Sequence, residues 1–186
     1  AELGATQLTD WGIPVHRGMG TTGVVGIVHG RDGGACGRAI GLRADMDALP
    51  MTELNTFEHA SRHAGKMHAC GHDTHITSMI GTARQLAKMK DRWRGTIVFV
   101  VQPAEERIAG AKKMLEDGAM SIILGVFKHM STKSAISNAD CWGHLLFKAC
   151  PDLAFEKFMQ ADGLNILLAS LRQRVNAKFK SQQSID

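Results

Sequence analysis

The sequence predicts an α/β protein in which a layered, mixed β-sheet is flanked by helices. Strand-like runs at 24–28 and 38–45 are followed by a helical pattern at 73–90 and then by a continuous apolar run at 95–102. A run that is apolar at successive positions is typical of a strand covered on both faces. Strands alternating with helices favour layers of sheet and helix over an all-β or all-α architecture.

The first two strands are defined by composition and by the turns that bound them. Residues 24–28 are mostly β-branched and lead into the glycine-rich turn 29–34. Residues 38–45 form the second strand, and the short turn predicts that the two strands pair as a hairpin. Pro50 cannot donate within a ladder, so the chain leaves the sheet after Asp45.

Helices are indicated at four places, one of them residues 151–180, and a further strand at one. The helix at 73–90 begins at a cap supplied by Asp73 or Thr74 and presents one apolar face, formed by Ile76, Met79, Ile80, Ala83 and Ala87. Residues 109–116 form a short helix that ends before Gly118. Residues 1–4 resemble the last turn of a helix ended by a glycine, and 121–127 are predicted as a strand.

Composition excludes several classes of protein. The chain has 186 residues, 44% of them hydrophobic and 22% charged, which is ordinary for a globular protein with one core. No apolar run reaches the roughly 18 residues of a membrane span. The net charge of +4 is scattered and tyrosine is absent, which disfavours a nucleic-acid partner. Four irregularly spaced cysteines favour a reducing compartment, and we expect the cytoplasm.

The chemistry is concentrated in two short segments. Cys70 and His72 lie two residues apart, which turns both side chains to one side of an extended segment and suits a borderline metal such as Zn²⁺ or Mn²⁺. Glu105 and Glu106 follow the buried run, so one carboxylate can bind metal while the other accepts a proton from water. The alternatives are a chance cysteine–histidine pair and a solvated acidic pair. Asp45 also lies at a strand end, where ligands collect in α/β sheets.

The remaining polar residues of the first segment receive more modest assignments. Asp73 is interpreted as a helix cap or as the partner that orients His72. His68 and His75 are interpreted as structural or surface histidines, with tuning of the metal site as the alternative for each.

Three motifs, in order, resemble the metallo-aminoacylase family, which hydrolyses N-acyl amino acids. They are residues 41–53 (GLRADMDALPMTE), 65–73 (GKMHACGHD) and 95–106 (GTIVFVVQPAEE), the last followed by 110–114 (GAKKM). The resemblance covers residues 1 to about 118. It implies a partial zinc-peptidase-like catalytic domain at 1–130 whose lid domain is largely missing, and a divergent segment at 131–186 that is a remnant of that lid.

The resemblance also implies roles for individual residues. Cys70, His72 and Glu106 would be metal ligands, Glu105 the general base, and Asp45, the acidic residue of the first motif, a second catalytic residue. By rougher matches, His129 would be a further ligand and His144 would bind substrate. The implied cofactor is a divalent metal, Mn or Zn, with Co or Ni as alternatives, and the partner is a small N-acyl amino acid such as hippurate. The family's lid domain mediates homodimerisation.

A second function is compatible with the same residues. Family members are roughly twice as long as this chain, and the distal histidine ligand of the family has no counterpart before Asp186. The alternative is therefore an inactive truncated fragment that binds metal, or one that acts only with a partner chain.

Overall fold

A computed structural model describes residues 1–36 and 38–128. Four strands form one sheet: β1 Val15–Met19, β2 Gly23–His29, β3 Ala39–Asp45 and β4 Thr96–Gln102. Four α-helices accompany them: α1 Glu2–Asp10, α2 His72–Lys88, α3 Gly110–Glu116 and α4 Ala119–Lys128, with a 3-10 turn at Lys90–Arg92. The predicted segment 131–186, together with His129 and His144, lies outside the described residues.

The strand order β1-β2-β4-β3 confirms a mixed sheet. β4 pairs antiparallel with β2 and parallel with β3, and α2 lies in the crossover between β3 and β4. The predicted hairpin of β2 with β3 is wrong, because β4 lies between them. All seven residues of β4 are buried, whereas β3 is partly exposed, so the more apolar strand takes the interior place.

The two faces of the sheet are covered by different helices. On one face Phe99 of β4 packs in a cluster with Leu8 of α1 and Ala83 of α2. On the other face Val98 packs with Leu115 of α3 and Ile123 of α4. Alternate residues of β4 thus supply two separate cores, as the two-residue period of a strand requires. The prediction that residues 95–102 form a strand buried on both faces is confirmed.

The prediction that Gly4 ends a helix is wrong, because α1 continues to Asp10. A side chain at Gly4 would meet Ile80 of α2 at 3.4 Å, so the glycine lies where the two helices approach each other. The helix ends instead before Gly12, whose φ of 73° lies in the left-handed region that glycine adopts without strain.

Residues 121–127, predicted as a strand, lie within α4. The buried residues Met120, Ile123 and Val126 recur every three positions and pack together against the sheet. A short apolar run fits a buried strand or a buried helix equally well by sequence, and only packing decides between them.

α2 begins at His72 and ends at Lys88, close to the predicted bounds of 73–90. Its predicted cap is wrong: the residue before the helix is Gly71, and no side chain caps it. The hydroxyl of Thr74 donates to the Gly71 carbonyl oxygen at 2.6 Å, and Asp73 is exposed. Among the described helices, none is long and apolar enough to cross a membrane.

Candidate metal centre

The candidate site lies where β3, β4 and α2 meet. Asp45 ends β3 and lies in register with Gln102, which ends β4, because the two strands are parallel. His72 opens α2 beside them, and Glu105 and Glu106 follow β4 within four residues. The predicted convergence of these residues at strand ends is confirmed.

His72 lies at the centre of this group, with only 3% of its side chain exposed. Its Nδ1 lies 3.1 Å from the Asp47 carbonyl oxygen and 3.3 Å from Asp47 Oδ1. Its Nε2 lies 3.7 Å from Asp45 Oδ1, 3.7 Å from Glu106 Oε1 and 3.8 Å from Glu105 Oε2. We assign the proton to Nδ1, which donates to the Asp47 carbonyl oxygen. The lone pair of Nε2 then faces the carboxylates.

Asp47 contacts the candidate site from two sides and was not singled out from the sequence. Besides contacting His72, its Oδ2 accepts a hydrogen bond of 3.1 Å from the backbone N–H of Glu106. One residue therefore orients the imidazole and anchors the loop that carries the glutamates. Asp73, predicted for the orienting role, is exposed on α2. The available signal was the second aspartate of Asp45-Met-Asp47, directly after the strand.

The donors around His72 fit a divalent metal. One ligand atom each from Cys70, His72 and Glu106 lies within 4.8 Å of the others. Glu106 Oε1 is buried without a hydrogen-bond partner among the described residues, which is costly unless a cation or another group satisfies it. A thiol, an imidazole and a carboxylate are the ligand types that zinc-like ions prefer.

The thiol of Cys70 responds to the neighbouring carboxylates. The Glu106 carboxylate, as a nearby hydrogen-bond acceptor, is the main cause that raises the pKa of Cys70, although its Oε1 forms no hydrogen bond of normal geometry among the described residues. The charges of Glu106 and Glu105 add to this effect. Without a cation the thiol therefore keeps its proton. Metal ligation requires the thiolate, so binding of a cation would release that proton.

Asp45 is held from two sides. Its Oδ2 lies 3.0 Å from Arg43 Nη1, and its Oδ1 lies 2.7 Å from His75 Nδ1. Burial raises the pKa of Asp45, but the His75 hydrogen bond and the Arg43 charge outweigh it and hold the pKa below its usual value. Arg43 also donates from Nε to Gln102 Oε1 at 2.9 Å, which ties the ends of β3 and β4 together.

The interpretation of His75 as a structural or surface histidine misses its contacts with the site. It bonds Asp45, and its ring stacks on His72 at a centroid distance of 5.7 Å, although more than half of it is exposed. Asp45, His72 and His75 also form a second group of donors within 4.8 Å. Because the nitrogen of His72 that faces both groups is Nε2, this residue can serve only one ion at a time.

The two glutamates lie on an irregular loop. Ala104 and Ile108, on either side of them, have φ values of 48° and 52°, in the left-handed region that non-glycine residues rarely adopt. The side chain of Glu105 is 42% exposed and that of Glu106 is 24% exposed. The loop thus brings both carboxylates towards His72 while leaving Glu105 the more accessible to water.

A thiol, an imidazole and carboxylates thus meet at the strand ends of an α/β sheet, and these ligand types can hold a divalent cation. The sequence model of "Peptidase family M20/M25/M40" matches residues 41–159. The chain belongs to this family.

Several relatives and solved structures are similar to this chain. The chain is 42% identical over 127 residues to an IAA-amino acid hydrolase of Arabidopsis thaliana, covering 68% of this chain and 28% of the relative. It is 44% identical over 118 residues to the hippurate hydrolase of Campylobacter jejuni, covering 63% of this chain and 30% of the relative. The structure of a Bacillus subtilis protein described as a dinuclear metal-binding peptidase superposes on this chain with a TM-score of 0.58 and 41% identity. The match covers 64% of this chain and 33% of the Bacillus subtilis chain. The chain thus spans about a third of the length of these relatives.

Proposed function

We propose that this chain takes part in metal-dependent hydrolysis of the amide bond of N-acyl amino acids. The observation that carries the proposal is the buried Oε1 of Glu106, which has no hydrogen-bond partner among the described residues. It lies beside Nε2 of His72, and the more exposed Glu105 lies next to both. Relatives named hippurate hydrolase and N-acetylcysteine deacetylase, the latter 45% identical over 106 residues, support this substrate class.

In this proposal Cys70, His72 and Glu106 hold the cation, either Mn²⁺ or Zn²⁺, with Co²⁺ or Ni²⁺ as alternatives. A bound divalent cation supplies Lewis-acid polarisation of the amide carbonyl and lowers the pKa of water. Glu105 accepts the proton of the attacking water and passes it to the departing amine, for which its accessibility suits it.

Two further aspartates support these groups without touching substrate. Asp47 keeps the proton on Nδ1 of His72, so that Nε2 stays free to ligate. Asp45, expected from sequence to be catalytic, has both oxygens engaged by Arg43 and His75 and therefore acts as a positioning residue.

Other assignments rest on the family resemblance. We propose His129 as a further metal ligand, His144 as a substrate-binding residue, and 1–130 and 131–186 as catalytic and lid-derived parts of a chain that forms a homodimer. The cytoplasm is the proposed compartment, because a thiol ligand such as Cys70 stays reduced there.

The test is hydrolysis of N-benzoylglycine by the Mn²⁺-loaded chain and by Glu105→Gln. We expect the variant to lose at least about 100-fold in kcat, the usual contribution of a positioned general base. Its affinity for Mn²⁺, measured by calorimetry, should change by less than about threefold, because Glu105 is not among the proposed ligands.

Glu58→Gln is the matched control, since Glu58 is an exposed glutamate of the loop that precedes α2. Equal rates for Glu105→Gln and the parent chain would contradict the assigned base. Tight Mn²⁺ binding without turnover in the parent chain would instead support the second candidate, a metal-binding chain that lacks activity by itself.

A further inference from the structure

Ile108 occupies a position that its own chemistry disfavours. Its φ is 52°, and a β-branched residue in the left-handed region is a genuine outlier. Its side chain is also 86% exposed, so it gains little from burial within the described part of the chain. Glycine would relieve the backbone strain and remove the exposed apolar surface at the same time.

The loop around Ile108 is closely tied, so this conformation is imposed by the fold. The N–H groups of Ala109 and Gly110 both donate to the Ala104 carbonyl oxygen, at 3.3 and 3.1 Å. A Cβ at Gly110 would lie 1.5 Å from the Pro103 carbonyl oxygen, which leaves no room for a side chain there. The N–H of Ile108 itself donates to the Glu105 carbonyl oxygen at 2.8 Å.

Ile108 is therefore held on the loop that carries the proposed base, with its backbone N–H bonded to the carbonyl oxygen of Glu105. Strain of this kind persists where the surroundings over-determine the backbone, and such residues cluster at ligand sites. The loop geometry accounts for the backbone conformation. It does not account for a large aliphatic side chain on it.

We propose that Ile108 is a specificity-determining residue that packs against the acyl group of the substrate; this inference rests on the proposed function. An N-acyl amino acid has one end that carries a carboxylate and one end that can be fully apolar. An isoleucine side chain offers no hydrogen bond or charge to a carboxylate that must lose water. It does stabilise an aromatic or long acyl group by removing apolar surface from water.

The test compares two ligands that differ only in the acyl group, N-benzoylglycine and N-acetylglycine. Binding to the Mn²⁺-loaded Glu105→Gln chain is measured by calorimetry, so that turnover is not required. Adding Ile108→Gly should weaken the binding of N-benzoylglycine about five- to tenfold and change the dissociation constant of N-acetylglycine by less than about twofold. Its melting temperature should stay the same or rise, because the strain is relieved.

Ala104→Gly is the matched control, because it relieves the same kind of strain on the other side of the glutamate pair. It should leave the ratio of the two dissociation constants unchanged. Equal weakening of both ligands by Ile108→Gly, or no binding of either ligand before that change, would overturn the inference.

A third outcome would also contradict the inference that Ile108 packs against the acyl group. A clear fall in melting temperature on Ile108→Gly would show that the side chain packs against protein and not against ligand. Failure of the parent chain to hydrolyse N-benzoylglycine while Ile108→Gly still weakens its binding selectively would refute the proposed function alone.

Discussion

At the scale of single residues, the side chain of Asp47 contacts both His72 and the loop that carries the glutamates. Asp47→Ala removes the acceptor for the Glu106 N–H and the carboxylate beside His72 Nδ1. We expect the affinity for Mn²⁺ to fall by about 10- to 100-fold, as is typical when a group that orients a ligand is lost. Calorimetric titration of the purified chain measures this.

Asp73→Ala is the control for this change, because Asp73 adjoins His72 in sequence but is exposed. Its affinity for Mn²⁺ should match that of the unaltered chain. If Asp73→Ala weakened the metal and Asp47→Ala did not, the orienting role would return to the residue that the sequence suggested.

Part of the site could be predicted from sequence and part could not. Cys70, His72 and the glutamate pair stand in short segments whose residue types alone indicate metal chemistry. The contacts of Asp47 with His72 and of Asp45 with His75 join residues 25 and 30 positions apart. Such contacts depend on how the chain between β3 and α2 folds back, for which no periodic pattern exists.

At the scale of elements, the turn between β2 and β3 depends on Asp32. Its Oδ1 accepts hydrogen bonds from the N–H groups of Gly95 at 2.9 Å and Gly34 at 3.1 Å, and its Oδ2 accepts one from Cys36 at 3.0 Å. The bond from Gly95 is the main cause that holds the pKa of Asp32 well below its usual value of 3.8.

This geometry makes the stability of the fold depend on pH in a defined direction. The folded-state pKa of Asp32 is depressed, so the carboxylate stabilises the fold above the unfolded-state pKa of 3.8, and that stability is lost as the pH falls through the lower, folded-state pKa. Asp32→Asn should therefore be less stable than the unaltered chain near neutral pH. We expect the difference to shrink as the pH falls below 3.8.

Urea unfolding at a series of pH values measures that difference. Asp91→Asn, at an exposed aspartate in the 3-10 turn, is the control and should show no such convergence. A constant difference between Asp32→Asn and the unaltered chain across the acid range would contradict the assignment.

The elements predicted best from the sequence are those whose residue pattern fits only one type of secondary structure. β4 has six consecutive apolar or β-branched positions, 96–101, before Gln102 and Pro103, and α2 has a long helical period. β1 escaped prediction because Val15–Met19 is exposed at its centre and contains a glycine. The pairing of β3 with β4, and not with β2, depends on the crossover through α2, which local sequence does not encode.

At the scale of the whole molecule, β4 is the strand that joins the two cores. Phe99 is fully buried on the face that packs against α1 and α2. Phe99→Ala should lower the free energy of unfolding by about 3–5 kcal/mol, because it removes apolar contact and leaves a cavity. Denaturant unfolding checks this.

Ile40→Ala provides the comparison, since Ile40 lies on the edge strand β3 and is 55% exposed. Ile40→Ala should lower the free energy of unfolding by less than about 1 kcal/mol, as for most surface positions. Similar losses for the two variants would mean that the core does not lie where the described packing puts it.

The bond between Asp47 and the Glu106 N–H joins residues that are 59 positions apart, as does the one between Arg43 and Gln102. Non-local contacts of this kind form late, because the entropy of closing a long loop must be overcome first. The candidate metal centre therefore cannot form on a nascent chain until β4 and the following loop have left the ribosome. Cation binding by Cys70, His72 and Glu106 would require that the crossover from β3 through α2 to β4 has already formed. Binding of the ion would therefore be a late step in folding.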